Sequence, residues 1–516
     1  MTFSELCKLV RAAGLPLAIL AACFAIASCG GGSGGSSLGN FSSGGATIAE
    51  QVAACEATLP QLQTANLASN EASIIVDAGP CAYGVPFGSA AGTAPSIFII
   101  GAANAPYTSV TICLPGTTTC QTIDHVLVDT GSAGLRIMSS VLNSNMSLPA
   151  VSVSGAALYE CAQFADGYAW GAVRSADVTI GGPNNNGELA QSVNIEVIGD
   201  PSAPATAPTA CSQTGPAVND VASFGANGVL GIGLFVNDCV TGASCNSALL
   251  TSPLYYNCSP STGACTPVGL TPSTNQVSNP VASFVSTDFE GVVMELPTIT
   301  NASGEENVYG TLVFGIASQI NNAIPGTASV YVADGWGDLQ SQVTSVSPNP
   351  PYSPNTQTCV NSFIDSGSNG LFLPSSVIPA LHTDANGWFI PSSTLTLNAV
   401  ITGATGVINP ATNNPYTPSV SPSIPMNIAN ADTVLFPANN GNNTAFNDLG
   451  GTASGGGLCV GPPSGSQTSA NATAGMDWGL PFFYGRSVFV ANEYVSLTFP
   501  ASGANATSYT TPFWAF

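Results

Sequence analysis

Residues 128–137 read VDTGSAGLRI, and residues 364–373 read IDSGSNGLFL. In both, an apolar run ends in Asp, a small hydroxyl residue, Gly and Ser, and Gly-Leu follows one residue later. A strand that ends this way puts a carboxylate where the chain must turn sharply. Gly permits the turn, and the hydroxyls supply hydrogen bonds. One such copy reads as a surface turn with an Asx bond. Two copies, with Asp129 and Asp365 standing 236 positions apart, read as two lobes that each offer one carboxylate.

The rest of the chain fits two lobes. Its 516 residues exceed what one hydrophobic core usually organises. Hydrophobic residues make up 45% and charged ones 6%, with 56 Gly and 38 Pro, which suits short strands joined by turns. Strands are expected at SIFIIG, VTICLPG and DHVLVDTG from Ser96 onward, in a hairpin around the ADG turn of 159–182, and at FEGVVMELP and YGTLVFG. The stretch 48–73 is the one good helical candidate ahead of the body and is expected to pack on the first lobe. Residues 239–280, with four Cys, read as a disulfide-pinned insertion.

The charge pattern excludes several functions. The net charge is −23, and the only basic residues are Lys8, Arg11, Arg136, Arg174 and Arg486. Three scattered Arg in the body cannot build a phosphate-tracking surface, so nucleic acid is not expected as a partner. A single lysine in the leader removes Walker A loops, Schiff-base lysines and Ser-Lys dyads. A body with acids and few bases loses charge as pH falls, so tolerance of acid is expected.

Residues 1–28 read as a secretory leader: Lys8 and Arg11, an apolar run from Leu15 to Ile26, then small residues. The sequence Ile26-Ala27-Ser28-Cys29 resembles the bacterial lipobox, which implies lipid on Cys29. The Gly/Ser stretch over 29–47 would be its tether. Gly30 after the Cys implies, by resemblance to Gram-negative lipoproteins, sorting to the outer membrane. Cys7 and Cys23 leave with the leader and Cys29 takes the lipid, so of fifteen Cys twelve remain for the folded body. No C-x-x-C spacing occurs and only His125 and His382 are available, so no metal site is expected, and a disulfide framework is. Pairing neighbours in sequence gives Cys55–Cys81, Cys113–Cys120, Cys161–Cys211, Cys239–Cys245, Cys258–Cys265 and Cys359–Cys459, a connectivity that sequence alone does not fix.

With both Asp motifs in place, the chain resembles the pepsin-like aspartic proteases over roughly residues 95–516. SFGANGVLGIGLF (223–235) looks like the family's apolar-apolar-Gly strand that crosses beneath the first Asp loop, and WGLPFFYGRSVFVANEYVSLTF (478–499) like the terminal segment that completes its second lobe. YGTLVFG (309–315) resembles its lobe-opening strand, and ADGYAWG (165–171) falls where the flap hairpin belongs. The resemblance implies a mainly β, bilobal fold with two six-stranded-type antiparallel lobes around a central cleft, 95–290 and 291–516, preceded by an accessory segment 48–94. It implies an endopeptidase in which Asp129 and Asp365 share a proton and activate a water, with no metal or organic cofactor. Two carboxyls held this close cannot both ionise comfortably, and the aspartic proteases are the standard example of the split titration that results. By the family pattern Thr130 and Ser366 tie the loops together, Ser132 and Ser368 hold the outer carboxylate oxygens, and Gly131 and Gly367 let backbone amides approach. Phe164, Asp166, Gly167 and Arg136 fall at the flap and cleft.

Two positions depart from that pattern. The family places a Tyr three residues before the flap Gly and a Trp seven after the first Asp, and these are Phe164 and Arg136 here. An Arg over an aromatic face could replace that contact. The chain also looks like bacterial lipoproteins of unknown function that carry the duplicated motif. His125, ahead of Asp129 on the same strand, admits a His-Asp pairing, but a backbone partner is the simpler expectation. Tyr168, Trp170, Trp336 and Phe372 are candidates for a cleft lining or for core. Segment 40–90 is a propeptide candidate by position alone. The alternative to a peptidase is a non-catalytic lipoprotein that holds a peptide or protein in its cleft. A monomer is expected in either case.

Overall fold

The computed structural model describes residues 47–516 except 87–88, 90–91, 166, 240–252, 260, 271–274, 436–441, 454–458, 460–474 and 501–505. The leader, the tether, Cys29, Asp166 and Cys245 lie outside the described residues. The architecture is mainly β and has two lobes.

One sheet of sixteen strands runs through both lobes, and a sheet of seven belongs to the second. The large sheet passes through the hairpin strands Ala156–Gln163 and Tyr168–Ile180, then Glu188–Ile198, Ala133–Met138, Gly228–Ile232, Cys120–Asp129 and Pro106–Cys113. It crosses at Glu71–Val76 to Val308–Phe314, Gly291–Leu296, Arg486–Ala491 and Phe513–Ala515. The second sheet is ordered Ile424–Ile428, Leu395–Thr402, Leu339–Ser347, Cys359–Ile364, Asp477–Trp478, Leu371–Leu373 and Gly450–Thr452.

Burial follows position in these sheets. Leu395–Thr402 alternates buried and more exposed residues, as a half-buried strand must, whereas Ala133–Met138 and Gly228–Ile232 are buried throughout. The two fully buried strands lie beside the first Asp loop. One apolar core runs beneath both loops, with Val128, Leu135 and Leu230 from one lobe and Ile364, Leu371 and Trp478 from the other.

The segment 48–73 is not one helix. Thr47 caps a helix of residues Ile48–Glu56 through a reciprocal box with Glu50, and Glu71–Val76 is a strand. The β-branched run Ile74-Ile75-Val76 favours extension over a continued helix. This strand pairs along its whole length with Val308–Phe314 and at its end with Pro106–Cys113, so it is the seam between the lobes. Excising segment 40–90 would remove it and expose two strand edges.

The lobes repeat one local arrangement. Gly228–Ile232 runs parallel to Cys120–Asp129 and antiparallel to Ala133–Met138, so it threads between the strands flanking the first Asp loop. Asp477–Trp478 does the same between Cys359–Ile364 and Leu371–Leu373. Disulfides join Cys55–Cys81, Cys113–Cys120, Cys161–Cys211, Cys258–Cys265 and Cys359–Cys459. The Cys239–Cys245 pair falls on Cys245, outside the described residues. Among the described residues no helix is long and apolar enough to cross a membrane.

Several carboxyls sit where water is scarce. Burial and the neighbouring Asp334 push Asp338 up to about 8, and burial lifts Asp448 to about 6. Burial raises Glu196, Asp238, Asp365 and Asp477 as well. A carboxyl raised in the folded state binds protons that the unfolded chain has released, so stability must rise as pH falls through that window. The thermal unfolding midpoint should therefore climb from about pH 8 to about pH 5, read by circular dichroism. A midpoint that falls over this range contradicts the assignment.

Candidate functional site

Each Asp loop is fixed locally. The Gly131 amide donates to Asp129 Oδ1 at 2.8 Å, and the Ser132 hydroxyl donates to Asp129 Oδ2. In the second loop the Gly367 amide donates to Asp365 Oδ1 at 2.8 Å and the Ser368 hydroxyl to Asp365 Oδ2 at 2.8 Å.

Reciprocal bonds then lock loop to loop. The Thr130 amide donates to Ser366 Oγ at 3.1 Å, and the Ser366 amide donates to Thr130 Oγ1 at 2.9 Å. Each hydroxyl donates its own proton to the opposite lobe, Thr130 to the Ile364 carbonyl at 3.2 Å and Ser366 to the Val128 carbonyl at 2.7 Å. All four groups are buried, so every donor and acceptor of the exchange is satisfied by the other lobe.

This lock stacks each carboxyl on the other loop's glycine. A Cβ on Gly131 would stand 2.5 Å from Asp365 Cγ, and one on Gly367 would stand 2.7 Å from Asp129 Oδ1. The same Cβ on Gly367 would stand 3.1 Å from Asp365 Oδ1, so both carboxyls crowd one glycine. Burial and the charge of Asp129 push Asp365 well above the carboxylate range, while Ser368 pulls the other way. Gly131 is exposed and Asp365 half-buried, whereas Asp129 is buried.

A third carboxyl lies beneath it. Asp477 pairs with Phe363 and precedes Gly479 by two residues, the place that Val229 holds against Leu127 in the first lobe. It is 1% exposed, and neither oxygen has a hydrogen-bond partner that meets strict geometry. Burial raises it strongly, against a contribution from Ser368, and its charge adds to the upward push on Asp365. Sequence reasoning misses this residue, although an Asp inside the apolar run of 476–484 is the signal that could have found it.

The flap positions are organised differently from the family pattern. Arg136 is buried, its Nη2 2.5 Å from Glu160 Oε1 and 3.4 Å from Asp238 Oδ2, and its Nε 3.4 Å from Glu196 Oε2. Tyr255 donates to Asp238 at 2.7 Å. Burial works against the Arg136 charge, but the surrounding acids hold it protonated. Glu196 and Asp238 are raised, first by burial and then by Glu160. An arginine in the apolar strand Ala133–Met138 demands such partners, and that is how the cluster could have been foreseen.

Arg136 also lies 6.0 Å from the Phe164 ring, which packs edge-on against Phe224 at 5.4 Å. Phe164 and Gly167 close the hairpin turn with a 2.8 Å bond, and Tyr168 exchanges backbone bonds with Pro216 and Val218. The Cys161–Cys211 disulfide pins the same hairpin. Tyr168, Trp170 and Phe372 are buried, and Trp336 is exposed.

His125 meets carboxyls, not backbone. Its Nε2 is 3.2 Å from Asp77 Oδ2, and the buried ring forms a cluster with the partly exposed Glu56 and Asp124. Burial opposes its charge, yet Asp124 and Asp77 outweigh that and lift it to about 10.

A family model described as "Protein of unknown function (DUF3443)" matches residues 92–516. The match takes in both Asp loops, the hairpin and the Arg136 cluster. No curated protein is similar to the chain by sequence.

Two substitutions test this geometry. Arg136→Met should cost about 3–5 kcal/mol at neutral pH, because it strands buried carboxyls. The loss should shrink toward acid as those carboxyls protonate, and urea unfolding at two pH values would show it. Asp477→Val, which copies the other lobe, should stabilise by about 1–3 kcal/mol at pH 7, since an underbonded buried carboxyl is removed. A destabilised Asp477→Val protein would mean that the carboxyl has a strong partner.

Proposed function

As the chain belongs to the DUF3443 family of proteins of unknown function, we propose that its two lobes hold a peptide across the paired carboxyl loops. We propose further that the pair hydrolyses it as a pepsin-like, aspartic-type endopeptidase. The single observation that supports hydrolysis is the reciprocal lock that sets Asp129 and Asp365 against one another beside the exposed Gly131. In this reading Asp365 holds the shared proton, being the carboxyl that burial and its neighbours raise. Asp129 takes a proton from a water as that water attacks the peptide carbonyl, and Asp365 gives its proton to the developing oxyanion. The leaving nitrogen then receives the proton that Asp129 gained, the C–N bond breaks, and one hydroxyl of the gem-diol returns its proton to Asp365. No bond between enzyme and substrate forms.

A second reading shares the binding step and omits the cleavage: a non-catalytic protein that uses the same loops to hold a peptide or protein. The flap hairpin supports it. Phe164 and Arg136 replace the hydrogen-bonding pair of the pepsin-like pattern, and the hairpin is tied by the Cys161–Cys211 disulfide and by Pro216. The two readings part only at bond cleavage.

As part of the same proposal, residues 95–290 and 291–516 are the two lobes, and the chain is an exported lipoprotein, anchored by lipid on Cys29 to the outer membrane. Incubating the purified chain with an unfolded protein substrate between about pH 3 and pH 7 should yield fragments. Asp129→Asn and Asp365→Asn should each slow cleavage by about 100- to 10,000-fold. Intact substrate at every pH, with peptide bound stoichiometrically, would select the second reading.

A further inference from the structure

Away from the Asp pair, three side chains converge at the junction of the N-terminal helix and the strand that carries Asp129. Glu56 ends the helix Ile48–Glu56, and Asp124 and His125 are neighbours in Cys120–Asp129. Successive strand residues normally face opposite ways. Here the register slips opposite Thr108 and Val110 and His125 takes a φ of 45°, a bulge that turns both side chains to one side. His125 Nδ1 comes to 3.4 Å from Asp124 Oδ2 and 4.0 Å from Glu56 Oε2.

In each residue the second polar atom is already committed. Glu56 Oε1 accepts from the Cys81 amide at 2.8 Å, and Asp124 Oδ1 accepts from Asn227 Nδ2 at 3.2 Å. His125 Nε2 lies 3.2 Å from Asp77 Oδ2, while Asp77 Oδ1 is itself held by the Gly79 amide at 2.8 Å. These bonds aim the three remaining atoms, Glu56 Oε2, Asp124 Oδ2 and His125 Nδ1, at a common point. His125 is 3% exposed, and neither its Nδ1 nor Glu56 Oε2 has a hydrogen-bond partner.

With Nε2 turned to Asp77, the imidazole points Nδ1 at two carboxylate oxygens. A proton on Nδ1 answers them at neutral pH, and a divalent ion that displaces this proton would bring two positive charges to the same point. A carboxylate behind the histidine is the usual support of a metal-bound imidazole, fixing its tautomer and orientation. Ligands about 2.0–2.1 Å from a tetrahedral ion lie about 3.4 Å apart, which the His125–Asp124 separation already matches. The Glu56 oxygen stands 4.0 Å from His125 Nδ1 and within 4.8 Å of the Asp124 ligand atom, so it has to move inward to complete the set. Asp124 is 45% exposed, which leaves a path and room for water ligands.

We propose that Glu56, Asp124 and His125 bind a divalent transition-metal ion of the Zn²⁺ kind, with Asp77 as the support behind His125. One imidazole with two carboxylates suits such an ion better than Ca²⁺ or Mg²⁺, which take oxygen ligands. This proposal departs from the expectation of no metal drawn from the lack of C-x-x-C spacing. The site staples the helix, beside the Cys55–Cys81 disulfide, to the strand that ends at Asp129, and it is independent of whether the Asp pair cleaves peptides.

The test is calorimetric titration of ZnCl₂ into the purified, chelator-stripped chain, with the thermal midpoint followed in parallel. One equivalent should bind and raise the midpoint. Asp124→Asn and Glu56→Gln should each weaken binding about tenfold or more and remove the midpoint shift. Asp124→Asn carries the decision, because its side chain is nearly half exposed and the amide oxygen can still accept from Asn227. His382→Ala should change nothing. No saturable binding below about 100 μM Zn²⁺, or binding of wild-type strength in both carboxamide variants, overturns the site.

Discussion

Four hydrogen bonds between Thr130 and Ser366 and the backbones opposite them decide where everything else at the centre of this protein sits. They are buried, reciprocal and fully satisfied, so neither lobe can shift against the other without orphaning polar groups in the core, at about 1–3 kcal/mol each. The glycines follow from the lock, because only a residue without a Cβ fits beneath the opposite carboxyl. The raised Asp365 follows too, because the lock holds a second carboxyl against it away from bulk water.

A chain with so few bases must settle its buried acids in other ways. Arg136 is shared among Glu160, Glu196 and Asp238, and Arg174 is spent on Asp200 at 2.8 Å. Arg486 donates to the Phe482 carbonyl at 2.6 Å and lies over the Phe482 ring. None of the described arginines is left to recruit a polyanion. Where no base is at hand, protons do the neutralising, and the raised carboxyls of both lobes are the result. The same scarcity draws attention to the Glu56–Asp124–His125 cluster, where His125 supplies the positive charge that a metal ion would replace.

The repeated motif is legible in sequence because its parts are local: a strand, a turn and its hydroxyls occupy ten consecutive residues in each copy. Many strands are legible for the same reason, through β-branched runs between Gly and Pro. The 48–73 stretch misleads because mixed apolar spacings suit a helix, while pairing with Val308–Phe314, more than two hundred residues away, makes its end a strand. Long-range partners also hide the acids around Arg136 and the carboxyls around His125, which come from separate strands, loops and a helix. Asp477 is hidden differently. Its neighbours are apolar and its position is that of a core residue, so only the fold reveals that it lies under the pair.

The central claim is that the two lobes pool one carboxyl each into a proton-sharing pair. An atomic-resolution crystal structure near pH 5 measures this directly, through the separation of the Asp129 and Asp365 carboxyls and the symmetry of their C–O bonds. The account predicts oxygens within about 3.2 Å and unequal C–O lengths in Asp365, the mark of a carboxyl that keeps its proton. Carboxyls more than about 6 Å apart, each with equal C–O lengths, would contradict it.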